Sequence, residues 1–256
     1  MTPLLEAAGL QLRFGRITAL EDVSLTLWPS EVVAIVGESG SGKSSLLRVL
    51  SGLQRPDAGR ILYRGADGSL HDVPALSEAT RRRLMRSEWG FVYQNPRDAL
   101  RFSVSAGANV GERLMAAGWR HYGRIRQEVA QWLARVEIDP ARIDDDPARF
   151  SGGMQQRLQI ARSLITRPRL VFMDEPTGGL DVSVQARLLD LIRGLVADLG
   201  LAVLLVTHDI AAARLLAHRI MVMRGGRVVE EGLTDRVLDD PQHPYTQLLV
   251  SSVLAA

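Results

Sequence analysis

The sequence predicts an α/β protein with a mixed sheet, an antiparallel β edge subdomain and an inserted α-helical subdomain. Short apolar, β-branched runs such as Val32–Val36 and Ala202–Val206 are typical of parallel strands covered on both faces. Alternating runs near the N-terminus, such as Leu10–Phe14, are typical of antiparallel edge strands. Strand signals disappear between about residues 98 and 149, where helical spacing replaces them.

The composition is that of a globular protein with a large core. The chain has 256 residues, of which 46% are hydrophobic, enough for one large α/β domain. A formal net charge of +2 is too weak to indicate nucleic acid, so we expect no direct nucleic-acid partner. Cysteine is absent, which excludes disulfides and thiolate metal sites and agrees with a reducing compartment. We see neither a signal peptide nor an apolar run of the roughly 18 residues that a membrane span needs, and we expect a cytoplasmic protein.

The N-terminal strands carry one candidate ligand contact. Leu10–Phe14 and Val23–Leu27 both alternate, with a turn near Gly15 between them. Phe14 ends its strand, where an aromatic ring could stack on an adenine ring. A core position in the edge strand is an equally good interpretation from periodicity alone. Further along, Gly65–Pro74 is rich in glycine, proline and polar residues and predicts an exposed loop.

The segment Gly37–Ser44 predicts a phosphate-binding loop between a strand and a helix. It fits the pattern GxxxxGK[ST], in which small residues let backbone N–H groups approach phosphates. Lys43 would reach the β- and γ-phosphates, and the Ser44 hydroxyl would bind Mg²⁺. Lys43 is the only lysine among 31 basic residues, at a place where a compact ammonium suits phosphates better than a guanidinium. An ordinary Gly/Ser-rich turn is the less favoured alternative.

A second candidate lies at the end of the predicted strand Trp89–Tyr93. Gln94 follows it, and Pro96 pushes the preceding residue out of helical geometry, so the chain leaves the sheet here. A glutamine at a strand end could reach a metal or an attacking water. Without other information, a solvated loop glutamine is the simpler interpretation.

The helical segment ends in an unusual helix start. Helical spacing covers Ala108–Ala117 and Arg124–Val136, and Phe150–Arg157 opens a further helix. Ser151 is a suitable N-cap, and we expect Gly152 and Gly153 to be exposed and to leave the first N–H groups bare. Such an end could bind an anion.

Two later strands end in polar residues suited to phosphate chemistry. Leu170–Met173 is followed by Asp174 and Glu175, and ligands of parallel sheets bind at the carboxyl ends of strands. We therefore expect Asp174 near the Mg²⁺ bound by Ser44 and Glu175 near the reacting water, rather than in a simple polar turn. His208 comes shortly after the strand Ala202–Val206 and is a further candidate.

These motifs, in this order, resemble those of the nucleotide-binding subunits of ABC-type ATPases, over essentially the whole chain. The resemblance implies a single P-loop ABC ATPase domain, with an α/β core at 1–97 and 166–256 and a helical subdomain with the signature motif at 98–165. It implies ATP and Mg²⁺ as cofactors, with Mg²⁺ held by Ser44, Gln94 and Asp174. It also implies catalytic roles for Glu175, His208, Gln94 and Lys43. The ATP contacts that it implies are Phe14, Gly37, Glu38, Ser39, Gly40, Ser41, Gly42, Lys43, Ser44, Ser45, Ser151, Gly152, Gly153, Gln155 and Asp181.

The resemblance also implies a partner. In such ATPases two subunits face head to tail, and ATP lies between the phosphate loop of one and the signature helix of the other. We find no internal repeat, so a second copy or a close paralogue is expected. ATP hydrolysis would then open the dimer.

A narrower likeness concerns the biological role. The segments Arg120–Gly123, Gly178–Arg187 and Gly232–Pro241 resemble the ATP-binding subunits associated with the carbon–phosphorus lyase of phosphonate catabolism, which dock on a soluble enzyme core. The segment His243–Thr246 resembles the alternative, the ATPases of dipeptide or oligopeptide importers, which dock on a membrane permease. Those importer subunits commonly continue with a longer tail, so we expect the lyase-associated role.

Overall fold

The structure, a computed structural model, describes residues 2–254. In chain order they form β1 (Leu5–Phe14), β2 (Ile17–Leu27), β3 (Val32–Val36), α1 (Lys43–Leu50), β4 (Ala58–Arg64), β5 (Leu70–Asp72), α2 (Glu78–Ser87), β6 (Trp89–Val92), α3 (Ala106–Ala116), α4 (Tyr122–Arg135), α5 (Gly152–Leu164), β7 (Leu170–Asp174), α6 (Val182–Leu199), β8 (Ala202–Val206), α7 (Ile210–Leu216), β9 (Arg219–Arg224), β10 (Arg227–Leu233), α8 (Thr234–Asp239) and α9 (Pro244–Leu254). The chain divides into two compact units. The first unit runs up to Arg81 and resumes at Gly200, and the second unit is Arg82–Leu199.

The first unit contains two groups of strands. One is an antiparallel sheet of order β2-β1-β4-β5. In the other, β3 lies parallel to both β8 and β9, and β9 forms an antiparallel hairpin with β10. Every residue of β3 and β8 is buried, which is why both strands are continuous apolar runs in the sequence. The loop 37–42 therefore starts at the carboxyl end of a fully buried strand.

The second unit combines a parallel strand pair with helices. β6 and β7 pair in register, with Val92 opposite Met173. The rings of Phe91 and Phe172 stack at 5.0 Å across this pair. The helices α3, α4 and α5 pack on one another and bury Trp132 completely. The pairing brings the carboxyl ends of β6 and β7 to the same edge.

The predicted α/β class is confirmed, with a mixed sheet, an antiparallel sheet and helices. The expectation of a loop over Gly65–Pro74 is wrong, because β5 and a 3₁₀ turn at Val73–Ala75 occupy part of it. β5 pairs with β4 and satisfies backbone groups on the edge of that strand, which no local pattern signals. The short helices α7 and α8 were not predicted either. Within residues 2–254, no helix is both long and apolar enough to cross a membrane.

Candidate functional site

The phosphate loop follows β3 in the first unit and has a backbone that only glycine allows. Gly37 has φ 148°, and a Cβ added there would lie 2.2 Å from the carbonyl oxygen of Met223. Gly42 has φ 106°, and its added Cβ would lie 2.4 Å from the carbonyl oxygen of Ala19. Both glycines thus allow neighbouring backbone to approach closely. The spacing of glycines that predicted the loop reflects these two contacts.

Lys43 begins α1 and turns its side chain back over the loop. Its residue is only 7% exposed, and Nζ donates to the carbonyl oxygens of Gly37 and Glu38, both at 2.8 Å. A buried ammonium needs such acceptors, because desolvation of a charge is costly. The loop carbonyls therefore keep the ammonium inside the loop, close to the backbone that a phosphate would approach.

The loop fits a phosphate group. The backbone N–H groups at the start of α1 have no acceptor within a preceding helical turn, and the helix N-terminus favours negative charge. The buried Ser41 hydroxyl has no hydrogen-bond partner among the described residues. Ser44 and Ser45 lie in the first turn of α1, and Ser44 is exposed. The loop thus combines polar donors, a buried cation and an exposed serine.

His208 lies in the same unit, in the turn between β8 and α7. Asp209 caps α7 by accepting hydrogen bonds from the N–H groups of Ala211 and Ala212 at 2.8 and 3.1 Å. The Thr207 hydroxyl accepts from the N–H of Asp209 at 3.0 Å. These bonds define the turn, and the residue between them, His208, is exposed.

Phe14 ends β1, opposite Ile17, and is 51% exposed. This exposure removes the alternative that Phe14 is a core residue of the edge strand. The ring is available to a ligand, and its stacking on adenine stays a prediction.

In the second unit, the predicted polar residues follow β6 and β7 at their shared edge. Asp174 ends β7, and Glu175 has the left-handed φ of 46°, a strained value for a residue with a side chain. The turn closes with a hydrogen bond from the N–H of Gly178 to the carbonyl of Glu175 at 2.9 Å. A Cβ at Gly178 would lie 3.1 Å from Nε2 of Gln94. Gln94 is exposed, as the interpretation of a solvated loop glutamine predicts, and it also packs against the turn that follows the two carboxylates.

The start of α5 is capped by Ser151 as predicted, but its two glycines differ from each other in exposure. Ser151 caps the helix, with its hydroxyl accepting from the N–H of Met154 at 3.4 Å. Gly152 is exposed. The expectation that Gly153 is exposed is wrong, because Gly153 is buried and an added Cβ would lie 2.5 Å from Cγ1 of Val184. Gly153 therefore allows α5 to pack closely on α6, while Gly152 leaves the helix end open.

A cleft of about 430 Å³ lies between the Gln94 segment, the start of α5 and the turn after β7, all within the second unit. Gln94, Gly152 and Gly179 are among the residues that line it. Gln155 also lines it, but its amide Nε2 donates to the carbonyls of Pro147 and Phe150 at 3.1 and 3.0 Å. Gln155 thus holds the loop before α5, and its predicted contact with ATP stays a prediction.

Asp181 caps the start of α6. Its carboxylate accepts from the Ser183 hydroxyl at 2.8 Å and from the N–H of Val184 at 3.1 Å. The hydrogen bond from the Ser183 hydroxyl, and to a smaller extent the one from the Val184 N–H, lowers the pKa of Asp181 below its usual range. The residue is therefore an ionised helix cap as well as a candidate ligand contact.

Two buried glutamines of α5 were missed by the sequence analysis. Gln159 accepts from the N–H of Tyr93 at 2.7 Å and donates to the carbonyl of Tyr93 at 3.0 Å. Gln156 donates to the same carbonyl at 3.1 Å. Tyr93 directly precedes Gln94, so α5 determines where the chain leaves β6. Two glutamines three residues apart on an otherwise buried helix face are the signal that could have revealed them.

Comparisons with known proteins agree with these motifs. Residues 20–178 match the sequence model of the family described as ABC transporter. The chain is 64% identical, over 98% of both chains, to the "Putative phosphonates utilization ATP-binding protein PhnK" of Escherichia coli K12. It is 40% identical to a "Putative peptide import ATP-binding protein" of Brucella ovis, covering 98% of this chain and 78% of that one.

Solved structures show the same fold. The ATP-binding cassette MJ0796, in a dimeric post-hydrolysis state bound to ADP and Pi, superposes with a TM-score of 0.79 at 29% identity, covering 90% of this chain and 98% of that one. CbiO1 of Clostridium perfringens, part of the ABC transporter complex cbiONQ, gives a TM-score of 0.81 at 28% identity, with 94% and 92% covered.

Proposed function

Because this chain belongs to the ABC transporter family of ATP-binding cassettes, which hydrolyse ATP, we propose that it is the ATPase subunit associated with the carbon–phosphorus lyase complex of phosphonate catabolism. The observation that carries this proposal is the similarity, over nearly the full length of both chains, to the phosphonate-utilization protein of E. coli.

The residues of the first unit would bind the nucleotide. Phe14 would stack on the adenine ring, and the backbone N–H groups of the loop would hold the phosphates. Lys43 would offset phosphate charge by moving its ammonium from the loop carbonyls towards the β- and γ-phosphates. His208, exposed at the end of β8, would contact the γ-phosphate.

The second unit would supply the hydrolytic residues. Glu175 would accept a proton from the attacking water or polarise it, which is the role of a general base in phosphoryl transfer. Gln94 and Asp174 of this unit, and Ser44 of the first unit, would each offer an oxygen ligand of the kind that Mg²⁺ prefers, and this ion when bound neutralises charge on the phosphate oxygens.

Two chains would complete the ATP site. The open end of α5 at Ser151 and Gly152 would face the phosphates bound by a second subunit, placed head to tail, and Asp181 would lie in the same interface. Cassettes of this family form dimers, as the dimeric structural relative illustrates. Contacts of ATP with both halves would hold the dimer closed, and hydrolysis would remove them, because the products bind the closed state less well.

A pull-down tests the biological role. The tagged chain would be isolated from native cells grown on a phosphonate as the sole phosphorus source, and bound proteins identified by mass, with the same strain grown on phosphate as control. We expect several soluble subunits of a carbon–phosphorus lyase core. Recovery of an integral membrane permease instead would overturn the lyase association and support the second candidate, a peptide importer, which the similarity to the Brucella protein favours.

A further inference from the structure

The C-terminal segment Gln242–Thr246 reaches the phosphate loop within the first unit. The side-chain hydroxyl of Tyr245 accepts a hydrogen bond from the backbone N–H of Glu38 at 2.9 Å. Tyr245 is only 7% exposed, so the hydroxyl that accepts this bond belongs to a buried side chain. Residues 207 positions apart in the chain are thereby joined at the site.

The hydrogen bond from Glu38 belongs to the peptide unit that also faces Lys43. The N–H of this unit comes from Glu38 and its C=O from Gly37. The C=O accepts from Nζ of Lys43 at 2.8 Å, so one peptide plane is held from both sides, by the tyrosine hydroxyl and by the ammonium. Hydrogen bonds at the two ends of a peptide unit polarise one another and strengthen both. The position of Lys43 thus depends on how firmly this peptide plane is held.

Tyr245 is itself fixed by neighbouring residues. The guanidinium of Arg224 lies over its ring, 4.9 Å from the centroid. The backbone N–H of Tyr245 donates to Nδ1 of His243 at 3.1 Å. The carboxylate of Glu230 on β10 accepts from the N–H groups of Gln242 and His243 at 2.8 and 3.0 Å.

Glu230 is held in its charged form by these contacts. Burial raises its pKa, but the hydrogen bonds from the backbone N–H groups of Gln242 and His243 lower it, and the pKa lies below its usual value. The β9–β10 hairpin and the C-terminal segment therefore form a built support behind the tyrosine. An accidental surface contact would lack these directed bonds.

We propose that Tyr245 is a positioning residue of the ATP site, which holds the Gly37–Glu38 peptide and through it sets the affinity of the phosphate loop for ATP. The proposal rests on the proposed function of the Lys43 loop as the ATP-phosphate site. Tyr245 acts through the loop and touches no reacting atom, so it affects binding more than the chemical step.

The test removes one oxygen atom. Tyr245→Phe keeps the ring and its contact with Arg224 and deletes the hydroxyl. Since a neutral hydrogen bond contributes about 0.5–1.5 kcal/mol, we expect the Kd for MgATP and the KM to rise about 2- to 12-fold, with kcat changed less than about 2-fold. Tyr63→Phe is the matched control, because Tyr63 is also a buried tyrosine but lies in β4. MgATP affinity of this control should equal that of the unmodified protein.

A second variant keeps the hydroxyl and loosens the ring. Arg224→Gln removes the guanidinium over Tyr245, and we expect a smaller rise of KM in the same direction. If Tyr245→Phe binds MgATP and turns it over like the control, the positioning role is wrong. If the two tyrosine variants lose affinity equally, the loss reflects general destabilisation and the positioning role is again wrong.

Failure of the proposed function looks different. In that case the unmodified protein itself would not bind MgATP, and Lys43→Ala would change nothing. Binding by the unmodified protein, loss in Lys43→Ala and no change in Tyr245→Phe would leave the ATP site intact and remove only the positioning role of Tyr245.

Discussion

The phosphate loop of the first unit and the Gln94 segment of the second unit both follow the end of a parallel strand, yet they are held by different means. The loop after β3 is shaped by backbone contacts that glycine permits, as at Gly37 and Gly42. The chain after β6 is held by side chains, because Gln156 and Gln159 form hydrogen bonds with the backbone N–H and C=O of Tyr93. The first segment therefore depends on glycines, which have no side chain, and the second depends on buried side-chain amides.

This difference shows how each region should respond to substitution. A Cβ added at Gly37 or Gly42 would lie within 2.4 Å of a backbone oxygen, so neither site has room for a side chain, and a substitution there should weaken folding and binding together. A buried amide network can lose one partner while the fold remains, at the cost of an unsatisfied backbone group. A single substitution should therefore be strongly destabilising in the first region and only moderately destabilising in the second.

The largest effect is expected for Glu175→Gln, which should change the hydrolytic step in the second unit without changing ATP binding in the first. Glu175→Gln keeps the size of the side chain and removes its basicity, so we expect ATP hydrolysis to fall about 10²–10⁴-fold while MgATP binding is retained. Steady-state phosphate release and equilibrium binding measure the two, and light scattering should reveal a trapped dimer. Full turnover by this variant would show that Glu175 is not the base.

The next effect tests the backbone contact of the phosphate loop. Gly37→Ala would bring a Cβ to 2.2 Å from the Met223 carbonyl oxygen at a φ of 148°, so we expect the free energy of unfolding to fall by more than about 3 kcal/mol. Gly68→Ala is the control, since Gly68 also has positive φ but nothing lies within 4 Å of its added Cβ. Its loss should be about 1–2 kcal/mol. Equal losses in urea denaturation would disprove the importance of the close approach.

A smaller effect tests the amide network. Gln159→Met keeps the length of the side chain but leaves the Tyr93 N–H without its acceptor, so we expect a loss of about 1–3 kcal/mol in the free energy of unfolding and a lower kcat. Gln127→Met on the exposed face of α4 serves as the matched substitution and should change stability by less than about 0.5 kcal/mol. The network would be unimportant if Gln159→Met behaved like Gln127→Met in both measurements.

The smallest effect concerns the cap of α6. The pKa of Asp181 is lowered in the folded protein, so its carboxylate contributes stability that is present above its unfolded pKa and is lost as pH falls through the folded value. Asp181→Asn should therefore be slightly less stable than the unmodified protein near neutral pH, and the difference should vanish in acid. Urea denaturation at several pH values would measure it; a difference independent of pH would argue against the ionised cap.

Much of the site could be predicted because its signals are local. The loop Gly37–Ser44 joins a strand and a helix whose periodicities lie beside it in the chain, and its glycines mark the required backbone. The carboxylates Asp174 and Glu175 directly follow an apolar run. In each case the neighbouring residues carry the physical cause, so the sequence alone determined the strand, the loop and the order of the motifs.

Other features depended on partners far away in the chain, and only the tertiary structure decided them. The exposure of Phe14 could not be read from its alternation, and the burial of Gly153 is caused by Val184 on another helix. The hydroxyl of Tyr245 meets Glu38 across 207 positions, and Gln159 meets Tyr93 across 66. Periodicity shows which face of an element is apolar, but a hydrogen bond needs one particular atom opposite, and packing alone brings that atom into place.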